Sequence, residues 1–490
     1  MHLVADFHLH SKYSRAVSQH MTLSVMADVA REKGIDLLTV SDFTQPLWFK
    51  EIQTLLEEAG EGVYQLKSEI RNSKSLPAGR QGEANPKIQN SNDQNQPKFI
   101  LSTEISCIYS QGGKLRRIHN LIFAPNIETV EKINAEMKKH GYNLHSDGRP
   151  IIGLPSRDLF EMILTIDERC MLIPCHVWTP HFGLYGSASG FDSIEEAFGD
   201  LSDKIYGIET GLSSDPEMNW QIPELENRSI LSFSDAHSPA KMGREATVFD
   251  LEKVSYDTIR QAIMAPMLRN QSKGTNKSKA TRENKSSSSS DSFGSFVPRI
   301  LYTVEFYPEE GKYHYSGHRN CKVVRTPEEI REEGIACSVC GKRLTEGVFI
   351  RLQHLSGKET LDSPLKKENE EGLVWFVDPK KNQPPYVKLV PLLEIVAESL
   401  GSTVQSQKSK NLYSLLLKTF GTEFDVLLKT PVDTIATTLN DKVAQGIAKV
   451  RSGNIVIHPG FDGEYGVVKI WGEGKDASGT DESSQLSLGL

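Results

Sequence analysis

A chain of 490 residues, 38% hydrophobic and 24% charged, exceeds what one hydrophobic core usually serves and predicts a water-soluble protein of several domains. Its 56 basic and 64 acidic residues leave a formal charge of -8, which excludes a global positive field as the means of holding nucleic acid. No apolar run is long enough to span a membrane, and the opening MHLVADFHLH lacks the basic flank and apolar stretch of an export signal, so a cytoplasmic protein without membrane contact is expected.

From Leu3 to Phe249 short apolar runs alternate with amphipathic ones: LVADFH, helical VMADVAREKG, IDLLTVSDF, helical WFKEIQTLLEEAG, then FILSTEIS, RIHNLIFAP, MLIPCHVW, KIYGIETGL and SILSFSDAH. That rhythm predicts an α/β domain over residues 1–265, a sheet or barrel of about seven strands with its chemistry at strand ends. Residues 72–97 are polar, without apolar period, and read as a disordered insertion. A second polar stretch with a serine run makes 266–297 a flexible linker.

Residues 298–360 carry Cys321, Cys337 and Cys340 in a segment too small for a large core, which predicts a metal-stapled module. From 361 to 471 apolar residues recur at helical spacing (Leu392, Ile395, Val396; Leu415, Leu416, Phe420; Ile435, Leu439, Val443, Ile447, Val450). NIVIHPGFDGEYGVVKIW follows, so a mainly helical module ending in a hairpin that turns at Asp462-Gly463 is expected. Residues 472–490 are Gly, Ser and acid rich and read as a flexible tail.

Alternate side chains of a strand share a face, so His8 and His10 can grip one cation with two imidazoles, and Asp235 with His237 repeats the arrangement. Glu104, His119 and His176 lie in or at the ends of other predicted strands, and a barrel would converge all of them at one mouth. Singly, each is a hydrogen-bonded core residue. Together they would be costly to bury, and they point to a multinuclear metal site. Mixed imidazole and carboxylate ligation suits zinc or manganese better than magnesium. Two bridged cations can lower the pKa of a bound water to about 7 and stabilise both oxygens of an in-line phosphoryl displacement.

His318-x2-Cys321 followed by Cys337-x2-Cys340 has the spacing of a zinc ribbon with one cysteine replaced by histidine, and His314 is a rival fourth ligand. A closed four-ligand site makes this a structural zinc. Lys312, Tyr313, Tyr315, Arg319, Lys322 and Arg325 interleave aromatic and basic groups around it, suiting DNA contact or a small packed core. Glu209 and Asp192 lie in strand-end phrases where they could stand behind the ligands or face DNA, without a firm assignment, and the GSASG loop at Gly186–Gly190 could cradle a phosphate but reads as a connection. No G-x4-G-K-S/T phrase occurs, which excludes a P-loop motor.

HLHS, GIDLLTVSD and SDAH resemble the motifs of the polymerase and histidinol phosphatase (PHP) superfamily. SDFTQPLWFKEI, RRIHNLIFAP, SDGRPIIGL, HVWTPHFGLYGSASGFDSIEEAFGD, ETGLSSDPEMNW and SDAHSPAKMGREA resemble its endonuclease Q branch. The resemblance implies a distorted (β/α)7 PHP barrel, with the zinc-ribbon module and a mainly helical C-terminal module beside it. It further implies a hydrolase: a metal-dependent DNA repair endonuclease that nicks 5′ of deaminated or abasic nucleotides (hypoxanthine, uracil, AP site) after flipping the base.

By the superfamily pattern His8, His10, Glu104 and Asp235 hold a first ion, and Glu104 bridges to a second held with His119 and His176. Asp42 and His237 reach toward a third position, so the implied catalytic set is His8, His10, Glu104, His119, His176, Asp235 and His237. Gln45 stands where related chains tend to have a histidine, and an amide is a poor zinc ligand, which favours two ions over three.

The terminal QLSLGL resembles the peptide by which bacterial repair proteins dock on the β sliding clamp, with Gln485 as hydrogen-bonding residue and Leu486, Leu488 and Leu490 as apolar plugs. The partners implied are double-stranded or single-stranded DNA carrying such lesions and the clamp, met by a monomer. Two rivals are a PHP-type phosphatase for a small phosphate ester and a degenerate DNA-binding scaffold. The zinc module, helical module and tail have no purpose in the first, and the retained ligand set argues against the second.

Overall fold

The computed structural model describes residues 1–71, 96–279, 296–358 and 361–472. The expected insertion lies outside the described residues except at its last two positions, as does the tail beyond Gly472, with Gln485, Leu486, Leu488 and Leu490. The fold is mixed α/β around one large sheet.

Strand β1 (His2–Asp6) pairs in parallel with β2 (Leu37–Thr39), across the helix Leu23–Lys33. Thr22 caps that helix by accepting from the Val25 amide, and Gly34 ends it at φ 84°. A Cβ on Gly34 would lie 2.5 Å from Thr422 Oγ1, so the glycine also lets the C-terminal helices approach. A short hairpin, β3 (Leu56–Gly60) and β4 (Val63–Leu66), leads to β5 (Lys98–Gln111), which pairs in parallel with β2. β5 and β6 (Lys114–Ala124) form a long antiparallel hairpin, turning at Gly112-Gly113, both with positive φ.

β7 (Ile151–Ile152) lies on β5, and β8 (Met171–Pro174) on β6. A separate parallel pair, β9 (Gly207–Glu209) and β10 (Ser229–Leu231), follows, and β11 (Ala246–Asp250) returns antiparallel to β1. The hydrogen bond Val177 N to Glu209 O ties the chain after β8 to β9, and Ser232 N to Thr247 Oγ1 ties the chain after β10 to β11. Phe7, Leu37, Ile100, Leu121, Phe123, Ile173, Leu231 and Phe249, from seven strands or their ends, meet in one buried cluster. The strands therefore surround an apolar interior, while a larger cluster packs the helices outside them.

Two expected boundaries change. The helix Tyr256–Lys279 occupies the start of the expected linker, because Tyr256, Ile259, Ala262 and Ile263 bury an apolar stripe ahead of the polar run. β12 (Arg299–Glu305), beyond it, pairs antiparallel with β11, so the chain rejoins the first sheet before the cysteines. The hairpin β13 (Ser316–His318) and β14 (Val323–Arg325) carries the first two candidate zinc ligands at its end. β15 (Leu365–Glu368), β16 (Val374–Val377) and β17 (Tyr386–Lys388) extend the large sheet from β12.

Five helices follow, from Leu392–Ser399 to Asp441–Ser452, and bury the anticipated Ile395, Val396, Leu416, Ile435, Val443, Ile447 and Val450. Leu415, expected with them, is 44% exposed. The closing hairpin, β18 (Val456–His458) and β19 (Val467–Lys469), has Asp462 and Gly463 at its tip with positive φ, as expected. Among the described residues no helix is long and apolar enough to cross a membrane.

Candidate metal centre

β1 ends before His8, so the two histidines occupy an extended segment just past the strand. There the backbone pairs with the loop after β10: His10 N donates to Ala236 O and Ala236 N to His8 O. The buried Asp6 carboxylate accepts from Ser234 N and Oγ and from Gly243 N, which fastens the Asp235 loop to β1. Asp235 has φ 45°, so its side chain reaches the cluster through a left-handed turn and the strand alternation expected for Asp235 and His237 is absent. Asp42 and His176 also follow strand ends with positive φ, while Glu104 and His119 lie inside β5 and β6. Such strain in non-glycine residues is typical of functional sites.

The seven predicted side chains converge. His10 Nε2 lies 3.1 Å from Asp235 Oδ1 and 3.4 Å from Glu104 Oε2, and His8 Nε2 lies 3.5 and 3.8 Å from the same two carboxylates. Glu104 Oε1 lies 2.5 Å from His119 Nδ1 and 3.2 Å from His176 Nε2. The His237 ring packs 4.7 Å from that of His10. Compact ligand groups are His8, His10 and Glu104, and His10, Asp235 and His237, with ligand atoms within 4.8 Å of one another. The site has a floor and a mouth: the side chain of His8 is 0% exposed, those of His176, Asp235 and His237 are 14%, 25% and 34% exposed.

Three of the imidazoles, those of His8, His10 and His176, are braced from behind. Glu209, wholly buried, brings Oε1 and Oε2 to 2.9 and 3.0 Å from His8 Nδ1 and accepts from His176 N at 2.8 Å. Thr179 Oγ1 sits 2.9 Å from His176 Nδ1. Asp42 Oδ1 lies 3.3 Å from His10 Nδ1, and its Oδ2 accepts from Ser11 N and Ser14 Oγ. In each case Nε2 is left facing the centre. Asp42, expected as a ligand, is thus a brace for His10. Gln45 caps the helix Pro46–Leu55 by accepting from Trp48 N at 2.7 Å, which commits its carbonyl oxygen elsewhere.

Glu209 was marked in the sequence without a firm role, whereas Asp6 and Arg149 were not marked by sequence reasoning. Arg149 donates from Nη1 to Glu104 Oε2 at 3.0 Å. It is set there by Gly148, where a Cβ would fall 2.3 Å from Asp42 Oδ2.

Burial alone would neutralise these groups, but at His8, His10, Glu104 and Asp235 their mutual charges outweigh it. His8 stands well above its usual range despite burial, through Glu209 and Asp235, and His10 is raised to about 9 through Asp235 and Asp42. Against burial, His119 and Arg149 hold Glu104, and His8 and His10 hold Asp235, well below the usual carboxylate range. Burial, only partly opposed by Glu104, lowers His119 to about 4. The Cys175 thiol, near Glu104 at 3.6 Å, is driven up by burial and neighbouring carboxylates, so it stays protonated and is a poor ligand.

Away from this centre, His318, Cys321, Cys337 and Cys340 bring their ligand atoms within 4.8 Å of one another. Lys322 (φ 54°) and Gly341 (φ 71°) turn the two knuckles. The rival His314 is buried against Tyr315 and Phe349 and belongs to no such group among the described residues. Burial is outweighed at Cys337 by the Cys340 amide, His318 and the Val339 amide, which lower its thiol to about 6.

A family described as the MJ0043 C-terminal domain matches residues 391–454. Protein MJ0043 of Methanocaldococcus jannaschii is 28% identical over 300 residues, 60% of this chain and 31% of that protein, so the match spans under a third of that relative. YqxK of Bacillus subtilis is 25% identical over 481 residues, covering 95% of this chain and 99% of YqxK. The crystal structure of the lesion-specific endonuclease PfuEndoQ from Pyrococcus furiosus aligns with TM-score 0.71 and 28% identity over 96% of this chain and 95% of that one. A structure of endonuclease Q with a 27-mer duplex carrying an abasic lesion at the active site aligns with the same score and identity over 96% of both chains. That likeness to endonuclease Q is sustained over nearly the whole length of both chains.

Proposed function

We propose that this protein is a metal-dependent DNA repair endonuclease that nicks the phosphodiester 5′ of deaminated or abasic nucleotides. The observation that carries the reading is the convergence of His8, His10, Glu104, His119, His176 and Asp235 on one half-open centre, in a chain alike throughout to an endonuclease solved on a lesion duplex.

The residues suit divalent cations. His8 Nε2 is buried without a hydrogen-bond partner among the described residues, and the Glu104 and Asp235 carboxylates are held ionised. His8, His10, Glu104 and Asp235 would hold one ion, and Glu104, His119 and His176 a second, in a distorted PHP barrel. His237 beside His10 and Asp235 is the remaining candidate for a third, with Asp42 and Gln45 otherwise engaged. When bound, zinc or manganese would supply an activated water and neutralise charge on the scissile phosphate.

The chain's own groups set the stage for that chemistry. Glu209, Asp42 and Thr179 orient the imidazoles, and the neutral His119 offers a lone pair at working pH. Arg149 places a permanent positive charge at the mouth where an anionic phosphate would arrive. His318, Cys321, Cys337 and Cys340 would hold a closed structural zinc. The protein would act in the cytoplasm as a monomer, with Gln485, Leu486, Leu488 and Leu490 docking on a β sliding clamp.

Labelled duplexes carrying inosine, uracil or an abasic site, offered with manganese, magnesium or zinc, test the reading. Wild type should nick 5′ of the lesion and Asp235→Ala should not. Cleavage of a small phosphate ester through the same residues, with every duplex left intact, would establish the phosphatase instead. Deleting residues 485–490 should leave nicking unchanged and abolish clamp pull-down; equal pull-down by both forms would end the docking assignment.

A further inference from the structure

Beside the ligand cluster lies a feature that metal binding does not require. Phe182, on the loop after β8, has φ 73°, a conformation that a bulky residue rarely adopts. The loop is locked around it: Gly183 N donates to Thr179 O, Tyr185 N to Val177 O and Ala188 N to Pro180 O. A Cβ on Gly183 would fall 2.5 Å from Val177 O. Phe182 O accepts from His119 N at 2.9 Å, so the strained residue is fixed to the strand that carries a ligand. Its half-buried ring lies 4.5 Å from the His119 ring, centroid to centroid.

The neighbouring arginines of the RRIHNL phrase divide their labour. Arg116 is buried, pairs with Glu196 at 2.7 Å and lies over Phe191 at 3.9 Å, which makes it structural. Arg117 is half-buried, enters no ion pair among the described residues, and holds its guanidinium 5.8 Å from the Phe182 ring centroid. An arginine without an acid partner and a strained aromatic thus stand side by side at the edge of the centre. Bases of any sequence stack on an aromatic face, and guanidinium matches the geometry of phosphate oxygens.

We propose that Phe182 and Arg117 form a nucleotide-binding step next to the scissile position, Phe182 stacking on a base of the cut strand and Arg117 pairing with that nucleotide's phosphate. The assignment rests on the nuclease reading. Strain at Phe182 is then the cost of presenting a flat face beside His119, where a glycine would fit the backbone but offer nothing to stack on.

The full-length protein allows a direct test, because Phe182→Gly removes the ring while accepting the backbone conformation. Abasic duplexes carrying 2-aminopurine at each position flanking the nick report stacking, and fluorescence anisotropy in metal-free buffer reports affinity. Wild type should quench one 2-aminopurine position, Phe182→Gly should lose that quench and bind roughly 5- to 50-fold more weakly, and Phe182→Trp should restore both. Arg117→Gln should weaken binding and reduce the slope of log affinity against log salt by about one. Manganese affinity, measured by calorimetry without DNA, should stay within about twofold in every variant, within the range expected where no ligand brace is lost.

A fall in manganese affinity with metal-free DNA binding unchanged would show that Phe182 merely props His119, and overturns the proposal. Unchanged stacking, affinity and salt slope in an otherwise active nuclease overturns it too. Wild type that neither binds nor nicks any lesion duplex would instead remove the nuclease reading beneath it.

Discussion

Glu209→Gln is the sharpest test of how the centre is built. Both Glu209 oxygens face His8 Nδ1, at 2.9 and 3.0 Å, and Oε2 also accepts the His176 amide at 2.8 Å. A carboxylate oxygen accepts from an imidazole N–H, so Glu209 holds the His8 proton on Nδ1 and turns Nε2 to the centre, where a bound cation would take the Nε2 lone pair in place of a proton. Glutamine keeps the volume but replaces one acceptor with an NH2 group, which must face either His8 Nδ1 or the His176 amide, donor against donor. Facing His8, it favours the other tautomer and blocks Nε2 with a proton. Loss of such a brace lowers metal affinity roughly 10- to 100-fold, equivalent to about 1.4 to 2.7 kcal/mol. Calorimetric titration with manganese, on protein whose circular dichroism matches wild type, measures it, and nicking at limiting metal should fall in parallel and recover at high metal. Undiminished manganese affinity in folded Glu209→Gln would refute the claim that Glu209 sets the tautomer of His8.

Arg451, 1% exposed, donates to the carbonyls of Val426, Leu427, Thr430 and Glu371 and has no carboxylate partner among the described residues. Arg451→Met strands those acceptors and should cost about 3 kcal/mol of unfolding free energy, read by urea denaturation; a loss below about 1 kcal/mol would deny that these carbonyls depend on Arg451. Burial, opposed by Ser232 and Thr303, raises Glu305 to about 8, while burial and the Glu305 charge raise Glu245 well above its usual range. Folded values above unfolded ones mean that this stabilisation is complete below about pH 4 and is lost as pH climbs through 8. The urea midpoint should therefore drop between neutral and alkaline buffer, less steeply in Glu305→Gln; parallel curves would dismiss the buried carboxyl as the cause. Cys340→Ser should empty the proposed structural zinc site, seen as loss of one zinc per chain by atomic absorption and faster proteolysis between β13 and the helix Val348–Ser356; unchanged zinc content would reject that ligand set.

What the sequence disclosed about this centre was its ligand chemistry. Histidine and carboxylate at the ends of apolar runs are informative because few other reasons exist to place them there, and the seven marked side chains do meet. What it concealed was whatever depends on contacts distant in the chain. Glu209 braces a residue 201 positions away and Asp6 fastens a loop 228 positions away, and neither belongs to a local pattern. Asp42 looked like a ligand because it shares their composition, yet its partners Ser11, Ser14 and His10 make it a brace, and only geometry separates the two roles.

Strand alternation likewise explains why His8 and His10 share a face but fails at Asp235, where a left-handed turn supplies the aim that regular pairing cannot. The polar stretch before β12 hid the return of the chain to the first sheet for the same reason, since strand pairing is decided by an edge formed far upstream. Ligand identity is thus written in residue type, whereas tautomer and aim are written in the fold. A substitution at Glu209 or Gly148 would leave every metal-binding motif in the sequence intact while disabling the centre those motifs describe.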